Sequence, residues 1–220
     1  MPFKFLKARF SGDANVGLYG FATDEYCLLG QDPQKLKVKM QTTLKTKVKV
    51  STVAGTQFVG LFAVGNKNGL LLPNIVEDEE IEIIKKFFDM NIAILDSRET
   101  ALGNLILCND KGCIISEKLR KFRMEISSIL GCETEVGSIA GTDIVGSVAV
   151  ANNKGCLCHI DATTEEMKQV EDILRVRTDV GTSGFGSPFI KGGIIVNSEG
   201  VVFSDTSTGP EIGRFEEVFS

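Results

Sequence analysis

The sequence VGLFAVGNKNGLLLPN, at residues 59–74, decides the fold of this chain. Its apolar runs, the first of them at residues 61–64, are separated by a polar turn at residues 66–69. This pattern predicts a β-hairpin that is covered on both faces. Gly69 ends the turn, where a backbone commonly needs a positive φ, and the Asn66 side chain can bond the turn's own backbone. The hairpin matters for the fold because it recurs along the chain.

The turn recurs at a nearly constant period of 43, 43 and 45 residues. Each copy pairs a glycine with an asparagine three positions earlier: Asn66 and Gly69, Asn109 and Gly112, Asn152 and Gly155, Asn197 and Gly200. A second series of glycines, 43 residues apart, opens the first strand of each predicted hairpin: Gly17, Gly60, Gly103 and Gly146. Five such periods account for nearly the whole chain, which predicts a repeat protein.

Every period has the same internal order, in which an amphipathic segment and a short β-rich stretch follow the hairpin. Apolar residues at helical spacing predict a helix after the second, third and fourth hairpins. The predicted closing strands of these units are residues 91–95, 132–136 and 176–180. Thr163 or Thr164 is the predicted N-cap of the fourth helix. The repeat unit is therefore predicted to be ββαβ.

The first unit contains two conflicting patterns. Asp32 and Pro33 are typical of an N-cap followed by the first residue of a helix. Leu36, Met40 and Leu44 fit one face of that helix. Lysines alternate with apolar residues across the same segment, however, and this alternation fits a strand. The place of the segment in the repeat favours the helix.

The two ends of the chain complete each other in the repeat. The fifth unit has its hairpin and a predicted helix at residues 211–219, but no closing strand follows that helix in the sequence. Residues 3–8 lie one period before the closing strand of the first unit, so they fit as the missing strand of the fifth. Closing the array removes exposed sheet edges. Residues 1–220 are therefore predicted to form one domain, a closed five-bladed α/β propeller with pseudo-fivefold symmetry.

The composition is that of a protein with a full hydrophobic core. Of the 220 residues 43% are hydrophobic, yet no apolar run reaches the roughly 18 residues that a membrane helix needs. The N-terminal sequence MPFKFLKARF interleaves lysine and arginine with apolar residues, unlike a secretory signal peptide. We therefore expect a cytoplasmic protein. Its six cysteines are expected to be reduced core residues.

Charge is unevenly spread along the sequence. The chain has a net charge of −5, but residues 1–50 carry nine Lys and Arg against four Asp and Glu. The lysine-rich segment at residues 35–49 contributes most of this excess. A basic sector on an acidic protein can turn one face toward a polyanion. A lysine-rich helix that is simply solvated explains the pattern equally well.

The turn residues form a candidate recognition surface, because equivalent positions of a closed array lie at the same end of the molecule. Lys67, Lys111 and Lys154 are expected there beside the turn asparagines. Lysine and asparagine are also common in any hairpin turn, so a structural role is equally compatible with the pattern. Asn104 interrupts an apolar run, and it is either a buried structural amide or a contact residue.

Five segments spread along the chain resemble the translation initiation factor 6 family, the ribosome anti-association factors: residues 65–74, 101–104, 108–110, 180–182 and 205–208. The resemblance implies the family's fold, a ring of five ββαβ blades of the pentein type. It also implies binding to the large (50S) ribosomal subunit, which blocks joining with the small subunit, and in eukaryotes a part in large-subunit maturation. The end of the sequence at Ser220 and the divergent first unit indicate an archaeal member.

The resemblance also implies ribosome contacts near one end of the ring for six residues: Asn15, Asn66, Lys67, Asn104, Asn109 and Asn153. The turn lysines Lys111 and Lys154 complete the set of candidate contact residues. The implied partner is the universal large-subunit ribosomal protein 14, close to the sarcin–ricin loop of the rRNA. A mixed protein and RNA partner agrees with a polar, partly basic face. Leucine at position 61 departs from the family pattern. No cofactor and no membrane are implied, and we expect a monomer.

The ring fold also resembles that of guanidine-modifying hydrolases and amidinotransferases, so an enzymatic function is the alternative. They need a nucleophilic cysteine near the C-terminus, and no cysteine follows Cys158 in this sequence. The single His159 beside Asp161 is expected to be structural, and we expect no catalysis. Cys156, Cys158 and His159 lack a second ligand pair, so no metal site is expected.

Overall fold

The computed structural model describes residues 2–220, and it contains five three-stranded sheets. The chain begins with strand β1 (Lys4–Ala8). The first unit consists of a 3₁₀ turn (Val16–Leu18), β2 (Gly20–Ala22), β3 (Tyr26–Leu29), a second 3₁₀ turn (Gln34–Leu36), α1 (Lys37–Leu44) and β4 (Lys47–Val50). The second unit consists of α2 (Val59–Phe62), β5 (Val64–Gly65), β6 (Gly69–Pro73), α3 (Asp78–Lys85) and β7 (Asn91–Leu95).

The remaining units repeat this order. The third consists of α4 (Leu102–Leu105), β8 (Ile106–Cys108), β9 (Gly112–Ile115), a 3₁₀ turn (Glu117–Phe122), α5 (Arg123–Leu130) and β10 (Glu133–Val136). The fourth consists of α6 (Val145–Val148), β11 (Ala149–Ala151), β12 (Gly155–His159), α7 (Thr164–Leu174) and β13 (Arg177–Gly181). The fifth consists of α8 (Ile190–Gly193), β14 (Ile194–Val196), β15 (Gly200–Ser204) and α9 (Gly209–Phe219).

Each sheet combines an antiparallel hairpin with a third strand that runs parallel to the hairpin's second strand. In the second unit β5 pairs with β6, and β7 returns through α3 to lie beside β6, with Gly69 opposite Asn91. The fifth sheet takes its third strand from the other end of the chain, because β1 pairs in parallel with β15 and places Phe5 opposite Val201. The predicted role of residues 3–8 is therefore confirmed.

The prediction of the hairpin's first strand, at residues 61–64, was largely wrong. Val59–Phe62 forms the one-turn helix α2, and strand β5 has only two residues. An apolar run of four residues fits a short helix as well as a strand, so periodicity could not separate them. Glycine is required at position 60 because a Cβ there would lie 2.0 Å from the carbonyl oxygen of Gly17. The glycine series therefore marks short helices that approach one another closely.

The expected positive φ of Gly69 was also wrong, although glycine is required at that position. Gly69 is absent from the positive-φ residues of the described chain. A Cβ on it would lie 2.3 Å from the carbonyl oxygen of Ile129, at the end of α5 in the next unit. The constraint is therefore the close approach of two backbones from neighbouring units.

The long helices confirm most of the sequence interpretation. In the first unit a helix was correct and Met40 is buried on it, but its predicted start was wrong: α1 begins at Lys37, and the Asp32 carboxylate accepts from the backbone N–H of Gln34 (2.9 Å) in the 3₁₀ turn before it. In the fourth unit Thr163 is the N-cap, and its hydroxyl and the Glu166 carboxylate complete a capping box. None of the helices in residues 2–220 has both the length and the apolarity that a membrane crossing requires.

Five apolar clusters form the core, and each one joins two consecutive units. One of them joins the last unit to the first, with Ile195 and Val202 packed in the same cluster as Cys27 and Leu29. The short helices also contact one another in sequence order, and α8 contacts the 3₁₀ turn of the first unit. Burial of apolar side chains between units is therefore the main stabilising term of the assembly.

Candidate functional site

A cavity of about 70 Å³, here called the central cavity, is lined by one strand from each sheet: β2, β5, β8, β11 and β14. The hairpin turns that follow these strands make up the turn face: residues 23–25, 66–68, 109–111, 152–154 and 197–199. The short helices and the 3₁₀ turn that precede them make up the helix face: residues 16–18, 59–62, 102–105, 145–148 and 190–193. A strand of three residues spans about 10 Å, which sets the separation of the two faces.

Four asparagines on the turn face are buried and connect neighbouring units. The Oδ1 atom of Asn66 accepts hydrogen bonds from the backbone N–H groups of Asn68 (2.9 Å) and Gly69 (3.2 Å) in its own turn. Its Nδ2 group donates to the carbonyl oxygens of Leu130 (2.8 Å) and Asn109 (3.1 Å) in the next unit. The same pattern recurs at the other three asparagines, Asn109, Asn152 and Asn197.

The placement of Asn66 and Asn109 corrects their assignment as contact residues. Their exposed fractions are 1% and 5%, and both the oxygen and the nitrogen of each amide are bonded within the molecule. A partner cannot reach these amides without breaking the bonds between units. The asparagine that recurs in the sequence therefore forms the same hydrogen bonds between units at each of its positions.

The turn of the first unit differs, because Thr23 stands where the other four turns have asparagine. Its hydroxyl oxygen accepts from the backbone N–H groups of Glu25 and Tyr26, both at 3.1 Å, as the asparagine oxygens do in their own turns. A threonine has no amide with which to reach the second unit. The rings of Tyr26 and Phe88 pack together at this junction instead, with centroids 4.5 Å apart.

Asn153 is held between two carboxylates on the turn face. Its Nδ2 group donates to Asp110 (2.6 Å) and Asp24 (2.8 Å), and its Oδ1 atom accepts from the backbone N–H of Asp110 (3.0 Å). Lys111 is similarly occupied, since its Nζ group donates to the carbonyl oxygens of Asn153 (2.8 Å) and Arg175 (3.2 Å). Two of the predicted contact residues thus take part in the internal bonding of this face.

Lys67 and Lys154 are exposed on the turn face. The backbone N–H of Lys67 donates to Asp110 Oδ1 (3.0 Å), which fixes the turn but leaves the ammonium group of the side chain at the surface. The two lysines therefore stand around a centre that carries the carboxylates of Asp24 and Asp110. This arrangement is a mixed-charge surface rather than a basic one.

The helix face brings together a different set of side chains. Five half-buried residues occupy equivalent positions there, each one residue after the glycine series or its counterpart: Leu18, Leu61, Asn104, Ser147 and Gly192. The backbone N–H of Asn104 donates to Ala101 (2.9 Å), and no side-chain hydrogen bond within residues 2–220 uses its amide. The Asn104 amide is therefore free to bond a partner.

Asn15 lies beside this set. Its side chain is exposed, and its Nδ2 group donates to Asp13 Oδ1 (2.9 Å). A Cβ on Gly192 would lie 3.6 Å from the Asn15 Oδ1 atom, which places the two residues next to each other. Asn15 and Asn104 therefore belong to the helix face, whereas the other six predicted contact residues belong to the turn face. The structure thus divides the eight candidate contact residues between two faces.

Sequence reasoning missed four of the five equivalent residues of the helix face: Leu18, Leu61, Ser147 and Gly192. The signal was present in their spacing, because each stands at the same offset from the repeating glycine position. Their chemical types differ, however, so no recurring residue marked them. Leu61, where the resemblance led us to expect a departure from the family pattern, is part of this surface.

Lys191 occupies, in the fifth unit, the position that glycine holds in the other four. Its Nζ group donates to the carbonyl oxygen of Gly103 (2.5 Å), so the side chain connects the fifth unit with the third. Burial lowers the pKa of the Lys191 ammonium from 10.5 to about 8, and the neighbouring Cys108 sulfur opposes the shift. The lysine therefore adds a partly desolvated positive charge to the lining of the central cavity.

The cysteines have the properties of core residues. All six thiols are free; burial raises the pKa of Cys27 to about 12 and that of Cys132 to about 11. A thiol with a raised pKa is protonated at neutral pH and is a poor nucleophile. The Nδ1 atom of His159 accepts from the backbone N–H of Asp161 (3.0 Å), as a structural histidine does. Within residues 2–220 no group of three His, Cys, Asp or Glu side chains could hold a metal ion.

Comparison with known proteins relates the whole chain to one family. The sequence profile described as the eIF-6 family matches residues 5–218. Proteins named translation initiation factor 6 are 41% identical in Pyrococcus horikoshii, over 94% of this chain and 95% of theirs, and 39% identical in Methanococcus vannielii, over 96% of both. The protein of that name in Sulfolobus acidocaldarius is 37% identical over 97% of this chain and 98% of its own length. With a match of this extent, the chain belongs to the eIF-6 family.

Proposed function

We propose that this protein binds the large ribosomal subunit and prevents its association with the small subunit. The observation that carries the proposal is the family match over residues 5–218, together with relatives named translation initiation factor 6 that align over nearly their full length. Following the resemblance, the partner on the large subunit is the universal ribosomal protein 14 near the sarcin–ricin loop. The protein acts as a cytoplasmic monomer and can also accompany maturation of that subunit.

The proposal includes a closed propeller, in which the five sheets are blades around the central cavity. Three observations support closure: the parallel pairing of β1 with β15, the apolar cluster that joins the last unit to the first, and the cavity lining drawn from all five sheets. A closed and rigid body suits a factor that blocks subunit joining by its volume. The turn face and the helix face differ in chemistry.

We infer that the helix face is the docking surface. Leu18 and Leu61 offer apolar contact area, Asn104 offers an unbonded amide, and Gly192 allows a close approach. Protein interfaces combine an apolar centre with a few polar groups, as this surface does. The turn face is less suitable, because its amides are bonded between units and Asp24 and Asp110 would repel the phosphates of rRNA.

Sucrose-gradient sedimentation with purified ribosomal subunits tests the function. The protein should migrate with the large subunit, and adding it before the small subunit should reduce the fraction of joined ribosomes. The small subunit alone serves as the control and should not carry the protein. Migration with small subunits, or an unchanged fraction of joined ribosomes at saturating protein, would contradict the proposal.

A further inference from the structure

Eight lysines lie in or directly beside three elements that pack together, β1, α1 and β4. Helix α1 contacts both β1 and β4, so their side chains share one region of the surface. We call this region the lysine patch: Lys4, Lys7, Lys35, Lys37, Lys39, Lys45, Lys47 and Lys49. Five of these lysines are exposed and the other three are half-buried. None of them lines the central cavity.

The charge of the lysine patch is largely uncompensated. No acidic residue occurs between Asp32 and Glu77 in the sequence. Among the ion pairs of residues 2–220, the patch contributes only that between Lys45 and Glu199. Lys4 donates to the carbonyl oxygen of Thr42 (2.9 Å), and the carboxylates of Asp24 and Glu25 line a surface pocket with Lys45 and Lys47 without forming an ion pair with them. Neighbouring like charges destabilise a surface slightly, by a few tenths of a kcal/mol per pair, so nothing in folding favours this arrangement.

The other long helices show that the patch is specific to the first unit. Helix α3 begins with Asp78, Glu79 and Glu80, and both α7 and α9 carry glutamates in their first turn. Helix α1 has no acidic residue in its first turn and no capping box. The protein as a whole is acidic, with a net charge of −5, so its field turns this one region toward a polyanion.

We propose that the lysine patch is a second binding surface, one that contacts the phosphate backbone of double-stranded RNA without reading its sequence. The elements β1, α1 and β4 contain no arginine and expose no aromatic ring. Bidentate base recognition and base stacking, which need those side chains, are therefore absent from the patch. Lysine ammonium groups act as point charges that suit phosphate oxygens.

A lipid surface fits the patch less well than RNA. Membrane-bound helices place several large apolar or aromatic side chains in the interface. Helix α1 exposes a single apolar side chain, Val38, which is 71% accessible. The binding that we propose is therefore electrostatic, and it should respond to salt as counterion release from a nucleic acid does. It does not depend on the helix face or on the proposed function.

Fluorescence anisotropy with a labelled RNA duplex of about 20 base pairs tests the proposal, between about 50 and 200 mM salt. Four phosphate contacts give a slope of log K against log salt of about −3 to −4. The variant Lys35→Gln, Lys37→Gln, Lys39→Gln, Lys47→Gln should bind at least tenfold more weakly at low salt and flatten the slope. The matched control changes four exposed lysines outside the patch, Lys67, Lys121, Lys154 and Lys168, to glutamine and should stay within twofold of the parent.

Three results would overturn the proposal. The first is an equal loss of RNA binding in the patch variant and in the control, with both shown to be folded by circular dichroism. The second is more than a tenfold difference between two duplexes of equal length and unrelated sequence. The third is tighter binding to vesicles containing an anionic phospholipid than to the duplex. The gradient experiment with ribosomal subunits is separate, so either proposal can fail while the other stands.

Discussion

The two ends of the central cavity use the same residue type for opposite purposes. Asn66, on the turn face, is 1% exposed. Its amide oxygen accepts a hydrogen bond within its own unit, and its amide nitrogen donates one to the next unit. Asn104, on the helix face, is half-buried and makes no side-chain hydrogen bond within residues 2–220. The comparison teaches that a polar residue recurring along the chain can be a structural residue, whereas Asn104, which breaks the repeat, keeps an unbonded amide at the surface where we propose docking.

Close approach of backbones on the turn face gives the largest expected effect. Gly69→Ala places a Cβ 2.3 Å from the carbonyl oxygen of Ile129, and two backbones must separate to relieve it. We expect a loss of about 4 kcal/mol or more in the free energy of unfolding, measured by urea denaturation. Gly213→Ala is the control, because a Cβ there meets nothing within 4 Å and the residue lies inside α9, where alanine should stabilise by about 1 kcal/mol. Equal stability of the two variants would contradict the close approach.

The buried amide of Asn66 gives the next largest effect. Asn66→Ala removes four hydrogen bonds and leaves buried backbone N–H and C=O groups without partners. We expect a loss of about 3 kcal/mol in the free energy of unfolding, because each orphaned buried group costs about 1–3 kcal/mol and some regain water. Asn104→Ala, as the control, should change stability by less than about 0.5 kcal/mol. If both variants lose the same amount, the contrast between the two faces is wrong.

Lys191 gives the helix face a dependence of stability on pH in the alkaline range. Its pKa is lowered from 10.5 to about 8, so between these values the unfolded chain holds a proton that the folded protein has released. The contribution of Lys191 to the free energy of unfolding therefore increases as pH rises through this window. The increase from pH 7 to pH 9.5 is about 2 kcal/mol, at about 1.4 kcal/mol per pKa unit. Below pH 8 the folded protein carries the full destabilisation that results from burying the charged Lys191 ammonium.

Comparison of the parent with Lys191→Met isolates this contribution, because all other titrating groups are shared. Urea denaturation at pH 7 and at pH 9.5 should show Lys191→Met to be more stable at the lower pH, with the advantage shrinking at the higher one. A difference between the two proteins that does not change with pH would show that the lysine is not desolvated in the folded protein.

A substitution at the proposed docking surface gives the smallest expected energy change, and this change tests the helix face specifically. Asn104→Glu should weaken binding to large subunits by at least tenfold, or about 1.4 kcal/mol, because it places a charge at the centre of the helix face. Its free energy of unfolding should stay within about 0.5 kcal/mol of the parent. Lys154→Ala on the turn face is the control and should bind within twofold, by gradient sedimentation. A larger loss of binding to large subunits from Lys154→Ala than from Asn104→Glu would indicate that docking occurs through the turn face instead.

Most of the fold could be predicted from the sequence, because a repeat constrains every unit at once. The 43-residue period predicted five units, their long helices and the pairing of residues 3–8 with the last hairpin, which β1 and β15 confirm. The short helices were missed because an apolar run such as residues 59–62 contains too few turns to show a period. Their role in close contacts between units depends on distances that no local pattern encodes.

The candidate site was harder to predict than the fold. Asn66 and Asn109 were selected from the resemblance and from their place in the repeating turns, but they bond neighbouring units, and those bonds depend on tertiary placement. Lys191 was missed because it follows Gly146 by 45 residues instead of 43, and one of the two extra residues lies in the bridged turn from Ser183 to Ser187. This shift hid its equivalence to Gly146. Asn104 could be singled out because it is the polar exception in an apolar run.

Blocking one face at a time tests the central claim most directly. Ser147 and Lys154 lie at opposite ends of β11, on the helix face and the turn face of the same unit. Ser147→Cys and Lys154→Cys, each coupled to a maleimide-biotin and capped with streptavidin, place the same bulk on either face, while the native thiols are buried or half-buried. Sedimentation with large subunits should be abolished by the block at position 147 and retained with the block at position 154. Retained binding with position 147 blocked, or loss with position 154 alone, would contradict docking through the helix face.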